Sequence, residues 1–224
     1  MPREDYQERL ETLREDVVGM SDLVLKRLDT GMEALENKDE DLAWEVIDGD
    51  EDVNELYLEI EQECVDLIAL QQPVAGDLRL IAASFKIITD LERIADLATN
   101  LGDYTLDARR TYFSEVDIQE VGEFASDMVE DAVGAYEKEN VEACYEIDER
   151  DDELDTRCEE ASERIMRDLI QGIDVETDDE AELLLQETSR LLLTIRDLER
   201  VGDHAVNIAA RTVYMLENDD ELIW

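Results

Sequence analysis

The sequence predicts an all-α chain of two tandem, pseudo-symmetric three-helix bundles, and three observations lead there. Apolar residues recur three and four positions apart over most of the length, the period of one helix face. Two prolines and nine glycines among 224 residues are too few for the tight turns of a barrel or sandwich. A seven-residue segment, Asp90-Leu91-Glu92-Arg93-Ile94-Ala95-Asp96, returns 107 residues later as Asp197-Leu198-Glu199-Arg200-Val201-Gly202-Asp203.

The first helix is predicted through Leu10, Leu13, Val17, Met20, Val24, Leu28 and Leu35. Asn37-Lys38-Asp39 interrupts it, and Asp39 is placed to cap the next helix. That second helix is expected over 41–71, turning Leu42, Val46, Val53, Leu56, Ile60, Cys64 and Leu67 inward. Pro73 marks a turn, since proline disfavours helix at the residue before it and is tolerated at a helix start. A third helix then runs to about Tyr112. Ser114 is read as the cap of a fourth helix, ending near Asn140, and a fifth ends near Gln171. The loop 172–179 closes with Thr177-Asp178-Asp179-Glu180, a capping box, and the sixth helix continues to about Asn218. The expected repeats are 1–113 and 114–224. Upstream acids repeat as well: Asp50 to Asn54 resembles Asp151 to Asp155, 101 residues on.

Twenty basic and 64 acidic residues give a net charge of −44. Such a field repels phosphate backbones and anionic lipid heads, which argues against nucleic acid or a membrane surface as partner. Only four of the twenty basic residues are lysine, and acid is spread along every segment. That pattern fits the surface of a protein from a salt-loving host, where dense counterions screen self-repulsion within about 3 Å at 1 M. Cys64, Cys144 and Cys158 have no metal or redox spacing and are expected to be buried thiols in a reducing cytoplasm. The charged amino-terminal stretch and the lack of an apolar run near 18 residues predict neither a signal peptide nor membrane insertion.

The repeated acids carry the chemistry. Advancing about 100° per residue places Asp96 about 40° from Glu92, on the side of Leu78, Ile81, Phe85 and Ile88. Asp203 stands likewise to Glu199, beside Leu185, Leu192, Ile195 and Val206. The acids are thus expected to continue an apolar stripe. Burying an uncompensated carboxylate costs several kcal/mol, so a cation is required. Arg93 and Arg200, one position on, point elsewhere and would pair with another helix. The other candidate is a metal ion, held by the carboxylates with the amide oxygens of Asn100 and Asn207, and with Asp50, Asp151 and Asp155 facing the same sites. Spacing leaves metal and ion pairing both open; the duplication favours metal.

The paired segments, with His204 after the second, resemble the two signature motifs of the PhoU family of phosphate-transport regulators. The run Gln71-Gln72-Pro73-Val74-Ala75-Gly76-Asp77-Leu78-Arg79 also resembles a helix junction of that family. The resemblance extends over nearly the whole chain. It implies two three-helix bundles and metal clusters, of iron or zinc in some members, at Glu92, Asp96, Glu199 and Asp203. Asn100 and Asn207 are weaker carry-overs, and Asp50, Asp151 and Asp155 match a second acidic motif in which Asn54 departs from an acid. Mg, Mn or Ca would also suit such oxygen ligands. The resemblance further implies a cytoplasmic restraint on phosphate uptake that contacts the ATPase of a phosphate ABC transporter, in bacteria also a membrane sensor histidine kinase, and leaves room for a homodimer.

Three functions compete on the residues themselves. A di-iron oxidase needs two Glu-x-x-His pairs, and the single histidine, His204, has Val201 three positions before it, so no enzyme is expected. His204 is expected to be partly exposed, pointing away from Asp203. A metal-free helical scaffold stands beside the metal-bearing regulator. No phosphate binding is expected of the metal-free protein, given its charge.

Overall fold

The computed structural model describes residues 3–71, 73–108, 116–171, 177–219 and 222. Among these there is no strand. The helices are α1 (Arg3–Asn37), α2 (Glu40–Asp48), α3 (Asp50–Gln71), α4 (Ala75–Asp107), α5 (Ile118–Lys138), α6 (Val141–Gln171) and α7 (Asp178–Glu217).

The predicted six-rod layout holds, with one rod broken. The helix expected over 41–71 divides at Gly49 into α2 and α3. A methyl group on Gly49 would lie 2.5 Å from Nη1 of Arg27 and 3.1 Å from the Glu45 carbonyl. The break is where the Arg27 guanidinium enters the bundle. Its counterpart in the second half, α6, is continuous.

The ends follow local chemistry. Lys38 after α1 and Glu139 after α5 both turn into the left-handed region, at φ 54° and 53°. Asp39 then caps α2 by accepting from the amides of Asp41 and Leu42 at 2.9 and 3.2 Å. Thr177 Oγ1 accepts from the Glu180 amide at 3.2 Å, the forward half of the expected box. Asp117 caps α5 through the Glu120 amide. The predicted cap Ser114, the predicted helix end at Tyr112 and the 113/114 boundary lie outside the described residues.

α4 and α7 form the centre. α4 packs on α1, α2, α3 and α7, while α7 packs on α4, α5 and α6; α1 also meets α5. Ile81, Ile88, Leu91, Ile94 and Leu101 of α4 and Ile195, Leu198, Val201 and Ile208 of α7 are buried in one continuous core. Each such side chain contributes about 1.5–3 kcal/mol relative to remaining in water. Of the predicted inward residues, Leu35, Leu42 and Leu56 are only half-buried, and the remainder are buried. α2 approaches α4 closely because Gly102 has no side chain: a methyl there would sit 2.9 Å from the Ala43 carbonyl. The three cysteines are buried free thiols, as expected.

Candidate metal centres

The repeated acids do not continue the core stripe. Glu92 is half-buried, and Asp96, Glu199 and Asp203 are exposed. The apolar residues used to define that stripe explain the error: Leu78 and Leu185 are themselves exposed, and Phe85, Leu192 and Val206 only half-buried. The buried arc of α4 centres on Leu91, Ile94, Ala98 and Leu101; Glu92 stands just beyond its edge, and Asp96 lies on the exposed side, almost opposite that centre. Arg93 differs from expectation, and Arg200 only in part, since its charge also reaches Asp96 on α4. Each lies near an acid of its own helix, at 3.9 Å from Asp90 and 3.7 Å from Asp197.

Outside the core the acids gather into two groups, one per repeat. In the first, burial raises the Glu92 carboxyl and Asp96 adds to it; burial raises Asp96 and Asp50 adds to it. In the second, Asp151 and Asp155 on α6 face Glu199 and Asp203 on α7. Burial first, and then the charges of Asp155 and Asp203, push Asp151 up to about 7. Glu199 and Asp203 are raised too, each by burial and then by Asp155. Arg200 draws both Asp96 and Asp203 back down, so it serves both groups.

The second group has a carboxylate oxygen without a partner. Asp151 Oδ1 is buried and has no hydrogen bond among the described residues. It lies against Gly202, where a methyl would come within 3.2 Å of it. An unpaired buried oxygen among like charges is an environment that a proton or a hard cation relieves, and the oxygen donors of this set suit a metal ion. The ligands do not already converge: among the described residues, no three His, Cys, Asp or Glu side chains stand grouped to hold one. The exposure of Asp155, Glu199 and Asp203 leaves their side chains free to rotate inward.

With this geometry in view, comparison with known proteins is decisive. The PhoU domain model matches residues 17–105 and 118–212. The chain belongs to the PhoU domain family. It is 31% identical over 219 residues to the phosphate-specific transport system accessory protein PhoU homolog of Clostridium acetobutylicum, covering 96% of each. It is 31% identical over 221 residues to PhoU homolog 1 of Methanothermobacter thermautotrophicus, covering 96% of this chain and 95% of that protein. The crystal structure of PhoU from Pseudomonas aeruginosa superposes with a TM-score of 0.86 at 27% identity, covering 96% of this chain and all of that one.

The two PhoU repeats meet along a polar seam that the sequence did not reveal. Its centre is the first acid of each motif, Asp90 and Asp197, which are 6% and 5% exposed. Asp90 Oδ1 lies 2.9 Å from Nδ1 of His204. His204 is therefore buried and engaged across the repeats, contrary to the expected partly exposed side chain. Asp197 accepts from Tyr104 Oη at 2.8 Å and from Asn100 Nδ2 at 3.1 Å. Asn100 thus turns its amide nitrogen to the seam, and Asn207 is half-buried at the corresponding position. One signal existed: Asp90 and Asp197 lie about 160° from Glu92 and Glu199, inside the buried arc. Their partners come from the other repeat, which no local spacing shows.

Proposed function

We propose that this chain restrains phosphate uptake in the cytoplasm by contacting the ATPase subunit of a phosphate ABC transporter, with a metal ion held by its second acidic group. The transport assignment draws on the names of its relatives, which are called accessory proteins of the phosphate-specific transport system. Neither name describes an enzyme, and the one histidine is occupied by Asp90. Among the described residues no helix is long and apolar enough to cross a membrane.

The observation that carries the metal reading is the buried, unpartnered Asp151 Oδ1. Asp151, Asp155, Glu199 and Asp203 would hold the ion there; Asp50, Glu92 and Asp96 are the corresponding set in the first repeat. Iron, zinc, manganese, magnesium or calcium suits such oxygen donors. When bound, the ion would neutralise part of the clustered carboxylate charge. A sensor kinase and a second copy of the chain are the further partners of this reading.

The test is capture of the transporter ATPase on immobilised protein at native salt, with phosphate uptake measured in cells lacking the protein. Wild type should retain the ATPase and lower uptake, and Asp151→Asn with Asp203→Asn should weaken both. Loss of neither in the folded double variant favours the metal-free scaffold. Failure of wild type to retain the ATPase or alter uptake refutes the transport role.

A further inference from the structure

The two acidic groups differ in what stands behind them. The left-handed caps Lys38 and Glu139 align α1 with α5 at a separation of 101 residues. Asp39 and Asn140 keep that register, since Asn140 accepts from the Ala143 amide as Asp39 does from Leu42. So do Asp50 and Asp151. In this register Arg27 of α1 corresponds to Met128 of α5. Arg27 is 6% exposed and Met128 is fully buried.

Arg27 serves the first acidic group from inside the bundle. Its Nη2 lies 3.0 Å from Thr99 Oγ1 and 3.4 Å from Asp50 Oδ1. The other oxygen of Asp50 accepts from Asn54 Nδ2 at 2.9 Å. Both oxygens of Asp50 are thus engaged by donors of the chain itself. At the matching places in the second repeat stand Met128, which has no charge, and Asp155, which adds one. Asp151 Oδ1 is left without a partner among the described residues. Gly49, which admits the guanidinium, corresponds to Arg150 within the unbroken α6. The break in the first repeat and its internal cation belong together.

A guanidinium stays protonated in proteins and repels an incoming cation, and Arg27 is packed in place with only 6% of its surface exposed. We infer that Arg27 takes the place of a metal ion in the first repeat, so that tightly held metal in this chain sits in the second repeat alone. This rests on the metal reading above and goes beyond it, since that reading places an ion in the second repeat without deciding whether the first repeat also takes one.

The experiment is calorimetric titration with Mn2+, Zn2+ and Fe2+ in turn at about 1 M KCl, which suppresses diffuse counterion binding. Elemental analysis of the desalted protein follows. Asp151→Asn should lose the tightly bound metal, whereas Asp50→Asn should keep the wild-type amount. Arg27→Met, which copies the second repeat, should increase the amount bound. Met128→Arg should weaken binding at least about tenfold. Equal loss in Asp50→Asn and Asp151→Asn, or an unchanged amount in folded Arg27→Met, overturns the asymmetry while leaving metal binding in place. Should Arg27→Met fail to fold, the comparison of the two aspartate variants decides alone. No saturable binding of any of the three ions by wild type or Arg27→Met removes the metal reading itself.

Discussion

Replacing Tyr104 with phenylalanine isolates one bond of the seam between the repeats. The phenol donates at 2.8 Å to Asp197, a carboxylate only 5% exposed. A hydrogen bond to a charged group contributes about 1.5–3 kcal/mol. Tyr104 itself is half-buried, and Asp197 keeps Asn100 at 3.1 Å and Arg200 at 3.7 Å, so the lower end applies. A loss of about 1.5 kcal/mol in a chain of this size lowers Tm by about 3–6 °C. Burial, and then the bond to Asp197, push the phenol up to about 12, so it remains a donor at working pH. The loss should therefore be constant between about pH 6 and 9. Thermal melts followed by circular dichroism at high salt measure it, and a cycle with Asp197→Asn gives the coupling. A change in Tm under about 1 °C, or fully additive single and double variants, would refute a stabilising role for the seam.

Three further outcomes follow from other parts of the molecule. Gly102→Ala should lower stability by about 1–2 kcal/mol in denaturant titrations, because the clash with the Ala43 carbonyl outweighs the roughly 1 kcal/mol gain in helix propensity. Asp151, raised from 3.8 to about 7, holds its proton in the folded state where the unfolded chain releases it. Metal-free protein should thus lose stability as pH rises from about 4 to 7, and Asp151→Asn should flatten that slope and gain about 1–3 kcal/mol above pH 7, after allowance for solvent screening. With a net charge of −44, helical circular dichroism should fall when salt is removed, and an unchanged spectrum in dilute buffer would contradict the high-salt reading of the composition.

The fold was legible because its signals are local. The period of Leu13, Val17, Met20, Val24 and Leu28 reports a buried helix face directly, and all five are fully buried. The caps Asp39 and Thr177 follow from the donors that any helix start leaves open. The site was legible as a set of residues but not as an environment. Glu92 and Asp96 share a helix face with Leu78 and Phe85, which are themselves exposed and half-buried, so an apolar neighbour on that face does not mark the interior. The break at Gly49 and the burial of Arg27 arise together, and neither shows in a period dominated by Val24 and Leu28. Aligning the halves by the caps that end α1 and α5 sets Arg27 beside Met128. That comparison was available in the sequence once the register was known.

The central claim is that the acids between α6 and α7 hold a cation. Crystals grown from protein purified without chelator, measured for anomalous scattering after exposure to Mn2+ or Zn2+, test it most directly. The account predicts a peak within about 2.0–2.6 Å of oxygens from Asp151 and at least two of Asp155, Glu199 and Asp203. Metal-laden crystals whose peaks all lie away from these four side chains would contradict it.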